Sequence, residues 1–87
     1  MSKVKLQELL TDRLGLTDPI FKLEKIGSKW AGSVISETFH AKSDRDRQRL
    51  IWDALTAELG DQSVQQVGTV LAYTPREWNV ELPERVA

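Results

Sequence analysis

A chain of 87 residues, 40% apolar and 29% charged, can bury one modest core and has the balance of a folded domain, not of a disordered tail. Twelve basic residues against thirteen acidic ones leave a net charge of −1, without the positive excess of a dedicated nucleic-acid binder. Cysteine is absent, which excludes disulfides, thiolate metal sites and cysteine nucleophiles in this chain.

Residues 3–14 have the spacing of an amphipathic helix. Leu6, Leu9, Leu10 and Leu14 share one face, while Lys5, Glu8, Asp12 and Arg13 occupy the rest. Gly15 suits a left-handed helix stop with Leu16 as the apolar contact after it, and Pro19 disfavours a helical Asp18. Residues 20–26 alternate, Phe21 and Leu23 against Lys22 and Glu24, as a half-buried strand does. A turn is expected from Gly27-Ser28 to Trp30-Ala31-Gly32, followed by a second strand over residues 33–39, the pair forming an antiparallel hairpin.

Ser43, with Asp46 three residues on, starts a second helix predicted to run to about Leu59 and to stop at Gly60. Its apolar stripe is Leu50, Ile51, Ala54, Leu55 and Leu59, with Trp52 off its centre. Residues 64–73 read as a third strand. Its start is polar, and Val70-Leu71-Ala72 is apolar on both faces, which predicts a central place in the sheet. Thr74-Pro75-Arg76-Glu77-Trp78 then opens a short helix. Thr74 is the cap, Pro75 takes the first helical position, Glu77 completes a capping box, and Tyr73 and Trp78 are spaced for a hydrophobic staple.

The expected fold is α+β: a single domain over residues 1–80, two layers, with helices on one face of a three-stranded sheet and a tail at 81–87. No stretch reaches membrane-spanning length and the start lacks the apolar run of a signal peptide, so the expected location is cytoplasmic, with no membrane partner.

Three segments, Ile35-Ser36-x-x-Phe39, Arg47-Gln48-Arg49-Leu50-Ile51 and Tyr73-Thr74-Pro75-x-Glu77-Trp78, in this order, resemble the BolA family. Ile35-Ser36-x-x-Phe39 is similar to the family's strand ending in Ser-x-x-Phe. Arg47-Gln48-Arg49-Leu50-Ile51 resembles its Arg-His-Arg-x-Val helix start, and Tyr73-Thr74-Pro75-x-Glu77-Trp78 its closing Tyr-Thr-Pro-x-x-Trp. The resemblance implies an α-β-β-α-β-α fold related to the class II KH fold. It also implies a non-enzymatic regulator or adaptor that pairs with a monothiol glutaredoxin in iron–sulfur homeostasis, sharing a two-iron cluster through histidine. The alternative it implies is a DNA-binding regulator of the stress response.

Against that family pattern, Gln48 stands here in place of the helix histidine, Gln66 in place of the histidine at the start of the last strand, and the hairpin turn holds neither His nor Cys. An amide is no substitute for imidazole toward cluster iron, so the expectation is a chain with no cofactor of its own. His40, the only histidine, is the one weak metal candidate. Trp30 and Trp52 are the candidate partner-binding anchors. Lys42, Arg45, Arg47 and Arg49 are the candidate phosphate contacts for the DNA-binding alternative, although His40-Ala41-Lys42-Ser43 lacks the glycine pair of a KH loop. Arg47 and Arg49 have a structural reading as well, anchoring their helix to the strand before it. No nucleophile has an activating base in prospect and no phosphate loop is present, so no catalytic residue is expected.

Overall fold

The computed structural model describes residues 2–81. Helix α1 (Lys3–Leu14) is capped by Ser2, whose hydroxyl accepts the Lys5 N–H. Gly15 ends it at φ 61° and ψ 46°, and the Leu16 N–H returns to the Thr11 carbonyl. The chain reverses through Asp18 at φ 42°, a left-handed conformation that Asp tolerates better than most residues.

Strands β1 (Ile20–Ile26) and β2 (Lys29–Ile35) pair antiparallel across the two-residue turn Gly27-Ser28, with Gly27 at φ 64°. The second strand therefore begins at Lys29, not at residue 33, and Trp30-Ala31-Gly32 lie within the sheet. Gly32 is a glycine because of what crosses it. At φ 145°, a Cβ there would stand 1.9 Å from the Lys22 carbonyl oxygen of β1. The far end of the expected strand is corrected too: Glu37–Phe39 is a 3₁₀ turn capped by Ser36.

Ser43 caps helix α2 (Asp44–Ser63) by accepting the Asp46 N–H, with Asp44 and Asp46 at the positive end of the helix dipole. Gly60, at φ 79° and ψ 170°, interrupts the helix where the sequence predicts its stop, and a short turn continues beyond it. The 3₁₀ turn Val64–Gln66 precedes strand β3 (Val67–Tyr73), so the third strand starts at residue 67 and not at residue 64, and the polar start expected for it lies in the turn. β3 runs parallel to β2, and the strand order is β1-β2-β3. The middle strand is β2. That corrects the central place expected for Val70-Leu71-Ala72, which lie on an edge strand with Leu71 44% exposed.

α1 and α2 cover one face of the sheet. Leu6, Leu10, Phe39, Ile51 and Leu55 are buried there against Leu23, Val34 and Val70. On the other face Ile35 is buried between its register partners Ile20 and Tyr73. Helix α3 (Pro75–Glu81) starts with the expected box: the Thr74 N–H donates to Glu77 Oε1, and the Glu77 N–H to Thr74 Oγ1. Tyr73 and Trp78 meet edge to face at 5.4 Å between ring centroids. α3 includes residue 81, and residues 82–87 of the expected tail lie outside the described residues. No described helix is long and apolar enough to cross a membrane.

Candidate functional site

The seam between α2, the outer edge of β3 and the start of α3 holds Arg47 and Thr74, two of the three buried polar side chains among the described residues. Backbone direction sets it up. The Ser36 N–H donates to the Tyr73 carbonyl at 2.9 Å, so Tyr73 and Leu71 turn their backbone groups toward β2, and by alternation Val70 and Ala72 turn theirs outward. Side chains from α2 satisfy these outward carbonyls. Gln48 Nε2 donates to Val70 O at 2.7 Å, and Arg47 Nη1 to Ala72 O at 3.2 Å.

Arg47 also forks onto Glu77, Nη1 to Oε1 at 2.6 Å and Nη2 to Oε2 at 3.1 Å. Bidentate charge-assisted pairs of this kind are the strong ones. The guanidinium thus joins α2, β3 and α3, and the residue is only 5% exposed. Its buried Nε has no hydrogen-bond partner among the described residues. The carboxyl of Glu77 is held at about 2, first by the Arg47 hydrogen bonds and then by the Thr74 N–H, with partial burial opposing both.

Gln48 is engaged at its other end as well, where Oε1 accepts the indole N–H of Trp52 at 3.2 Å. Above these contacts lies a cleft of about 280 Å³, lined by Asp44, Arg47, Gln48, Leu71, Ala72, Tyr73 and Glu77. The one cation in that lining is neutralised by Glu77, and Asp44 adds a negative charge, so the cleft suits neutral hydrogen-bonding groups better than anions.

The sequence-predicted site residues are scattered. His40 is exposed just after the 3₁₀ turn, and among the described residues no group of three His, Cys, Asp or Glu comes together. Arg45 and Arg49 are exposed and Lys42 is half-buried, whereas Arg47 is turned inward and is no part of an exposed basic face. Arg47 does anchor its helix, but to the strand after it, not the strand before. Trp30 and Trp52 are both half-buried against the core, and Lys25 Nζ lies 5.9 Å from the Trp30 ring centroid.

Sequence reasoning missed the Arg47–Glu77 pair and the two side-chain bonds to β3. One signal was present: Arg47 lies four residues before Ile51 and seven before Ala54, at the spacing of the buried stripe.

No protein-family model matches the sequence, and no curated protein matches it. Solved structures do. A bol-like protein from Babesia bovis is 27% identical, covers 93% of this chain and 93% of its own, and superposes with a TM-score of 0.61. A bolA homologue from Coxiella burnetii is 20% identical over 91% of this chain and 97% of its own, with a TM-score of 0.68. The BolA domain of SufE1 from Arabidopsis thaliana is 23% identical over 88% and 98%, with a TM-score of 0.66. The element order, the mixed sheet and these superpositions agree with the three sequence segments: the chain has the fold of the BolA-like proteins and is similar to them over nearly its whole length.

Proposed function

We propose that this protein is a non-enzymatic BolA-like adaptor that docks onto a partner protein, a monothiol glutaredoxin in iron–sulfur homeostasis, without supplying a ligand to the cluster. The observation that carries this reading is the double engagement of Gln48. At the family's helix-histidine position stands a neutral amide with its nitrogen on the Val70 carbonyl and its oxygen on the Trp52 indole. A cluster shared through histidine does not fit this donor set. Gln66 is likewise an amide, and soft iron–sulfur centres take thiolate or imidazole. What remains at the seam is a surface for protein contact, with Trp52 as an aromatic anchor oriented by Gln48. The existence of a BolA domain within SufE1 supports a role exercised alongside other protein units.

The test is an anaerobic mixture with a cluster-loaded monothiol glutaredoxin, followed by size-exclusion chromatography and visible circular dichroism. A heterodimer with an unchanged cluster spectrum is expected, and Trp52→Ala should weaken it at least about tenfold, as loss of an aromatic anchor does. A complex that never forms overturns the adaptor reading. A changed cluster spectrum overturns the absence of ligation. The DNA-binding alternative gains nothing from the geometry: with Arg47 inward, Lys42, Arg45 and Arg49 are interleaved with Asp44 and Asp46.

A further inference from the structure

The two edges of the sheet are unequal. Along β3 the outward carbonyls of Val70 and Ala72 are occupied by Gln48 and Arg47. Among the described residues no strand pairs with the outer side of β1, and an open groove there is lined by Lys3, Phe21, Lys22, Leu23 and Glu24. A hairpin closed by a two-residue turn makes its flanking residues, Ile26 and Lys29, a hydrogen-bonded pair. By alternation, Ile20, Lys22, Glu24 and Ile26 direct their backbone groups to β2. The Lys22 carbonyl oxygen, which crowds Gly32 of β2, agrees with this. Phe21, Leu23 and Lys25 therefore direct their donors and acceptors outward, as a template for another strand.

We propose that this edge pairs antiparallel with β1 of a second copy of the chain, about a two-fold axis at Leu23. The strand is close to its own complement. Read in order it is Ile-Phe-Lys-Leu-Glu-Lys-Ile. Turned about Leu23, Lys22 comes opposite the partner's Glu24, Ile20 opposite the partner's Ile26, and Phe21 opposite the partner's Lys25. Such a contact is isologous, so each favourable pair off the axis occurs twice. It also covers Ile20 and Ile26, which are 52% and 61% exposed on the open face of the sheet.

Charge fixes the register. Sliding the pairing by one step in either direction puts Lys22 opposite the partner's Lys22, or Glu24 opposite the partner's Glu24, and like charges directly opposed on a sheet repel. Edge strands are commonly guarded by charges that repel any second copy. In this strand the signs alternate so that the copies attract in one alignment only.

The test is sedimentation velocity on the full chain from micromolar to millimolar concentration, with circular dichroism to confirm that each variant folds. A concentration-dependent monomer–dimer equilibrium is expected. Lys22→Glu alone, and Glu24→Lys alone, should each weaken dimerisation at least about tenfold, because two attractive pairs become repulsive. The double variant K22E/E24K recreates the complementary pattern and should restore the dimer. A monomer at every concentration overturns the proposal, and so does a dimer indifferent to the single swaps or unrescued by the double. A chain that stays monomeric while an added extended peptide perturbs the β1 amides assigns the edge to a foreign strand, and also overturns it.

Discussion

Gly32→Ala should leave almost no folded protein. The new methyl carbon would lie 1.9 Å from the Lys22 carbonyl oxygen and 2.9 Å from the Leu23 Cα, and both are backbone atoms of the neighbouring strand. Neither can swing aside as a side chain would, and φ 145° is itself unfavourable for any residue with a Cβ. Relief requires β1 and β2 to separate at the middle of their ladder, where Leu23 pairs with Gly32. The cost should exceed about 4 kcal/mol, a large share of what a domain of this size has in hand. Far-UV circular dichroism and urea unfolding check it. A cooperative transition within about 1 kcal/mol of the parent would show that the crossing is looser than described.

The second large effect is expected at Glu77, and it reverses the usual ranking by burial. Arg47 is the buried member of the pair, with 6% of its side chain exposed against 37% for Glu77. Removing the more exposed partner should nevertheless do more damage. Glu77→Ala leaves a permanently charged guanidinium away from water without its counter-ion, and it also removes the capping box of α3. The expected loss is about 3–4 kcal/mol. Arg47→Met fills much of the same space and has no charge to desolvate. It leaves the Ala72 carbonyl without its donor, for an expected loss of about 1–2 kcal/mol. Urea midpoints for the two variants decide it, and an Arg47→Met variant less stable than Glu77→Ala would contradict this account.

The same pair predicts an acid response. The Glu77 carboxyl titrates at about 2 in the folded chain, below its ordinary value of 4.5. A depressed carboxylate pKa contributes stability that is present above the ordinary value and is lost as pH falls from there through the folded value. Because Glu77 is more than one-third exposed, solvent screens much of that term, and on the order of 1 kcal/mol is expected to disappear across this window. That is less than Glu77→Ala removes, since a protonated carboxyl still fills its place and can still accept a hydrogen bond. Glu77→Gln should lack most of this acid-dependent loss.

The parts of the fold legible in the sequence are those set by local chemistry. Gly15 and Ser43 bound their helices as read, and Thr74 with Glu77 makes the box that its spacing announces. β1 has the bounds its alternation gives. The misreadings come from residues whose reasons are distant in the chain. Gly32 looks like a turn glycine, yet it answers to the Lys22 carbonyl across the ladder. Val70-Leu71-Ala72 looks central, but the strand enters by a crossover and can join only the side of β2 that β1 leaves free. Arg47 looks like a surface cation among others, because charge type is plain in a sequence and its partner Glu77 lies thirty residues on. At the candidate site, the absence of imidazole at positions 48 and 66 was legible, and the commitment of the Gln48 amide to both Val70 and Trp52 was not.

Parallel pairing of β2 with β3 has a consequence in time. The β1–β2 ladder closes over a two-residue turn, a local event, whereas β3 can dock only after the chain has made α2 and returned. The clasp of Arg47 on Ala72 and Glu77 therefore belongs to the late part of folding, after most apolar surface has left water. Stopped-flow measurements on Glu77→Ala should find the folding limb close to the parent's and the unfolding limb raised, a φ-value near zero. A slowed folding limb would place this buried charge in the nucleus. With the clasp formed late, its free energy governs how long the native state lasts, not how quickly it is reached.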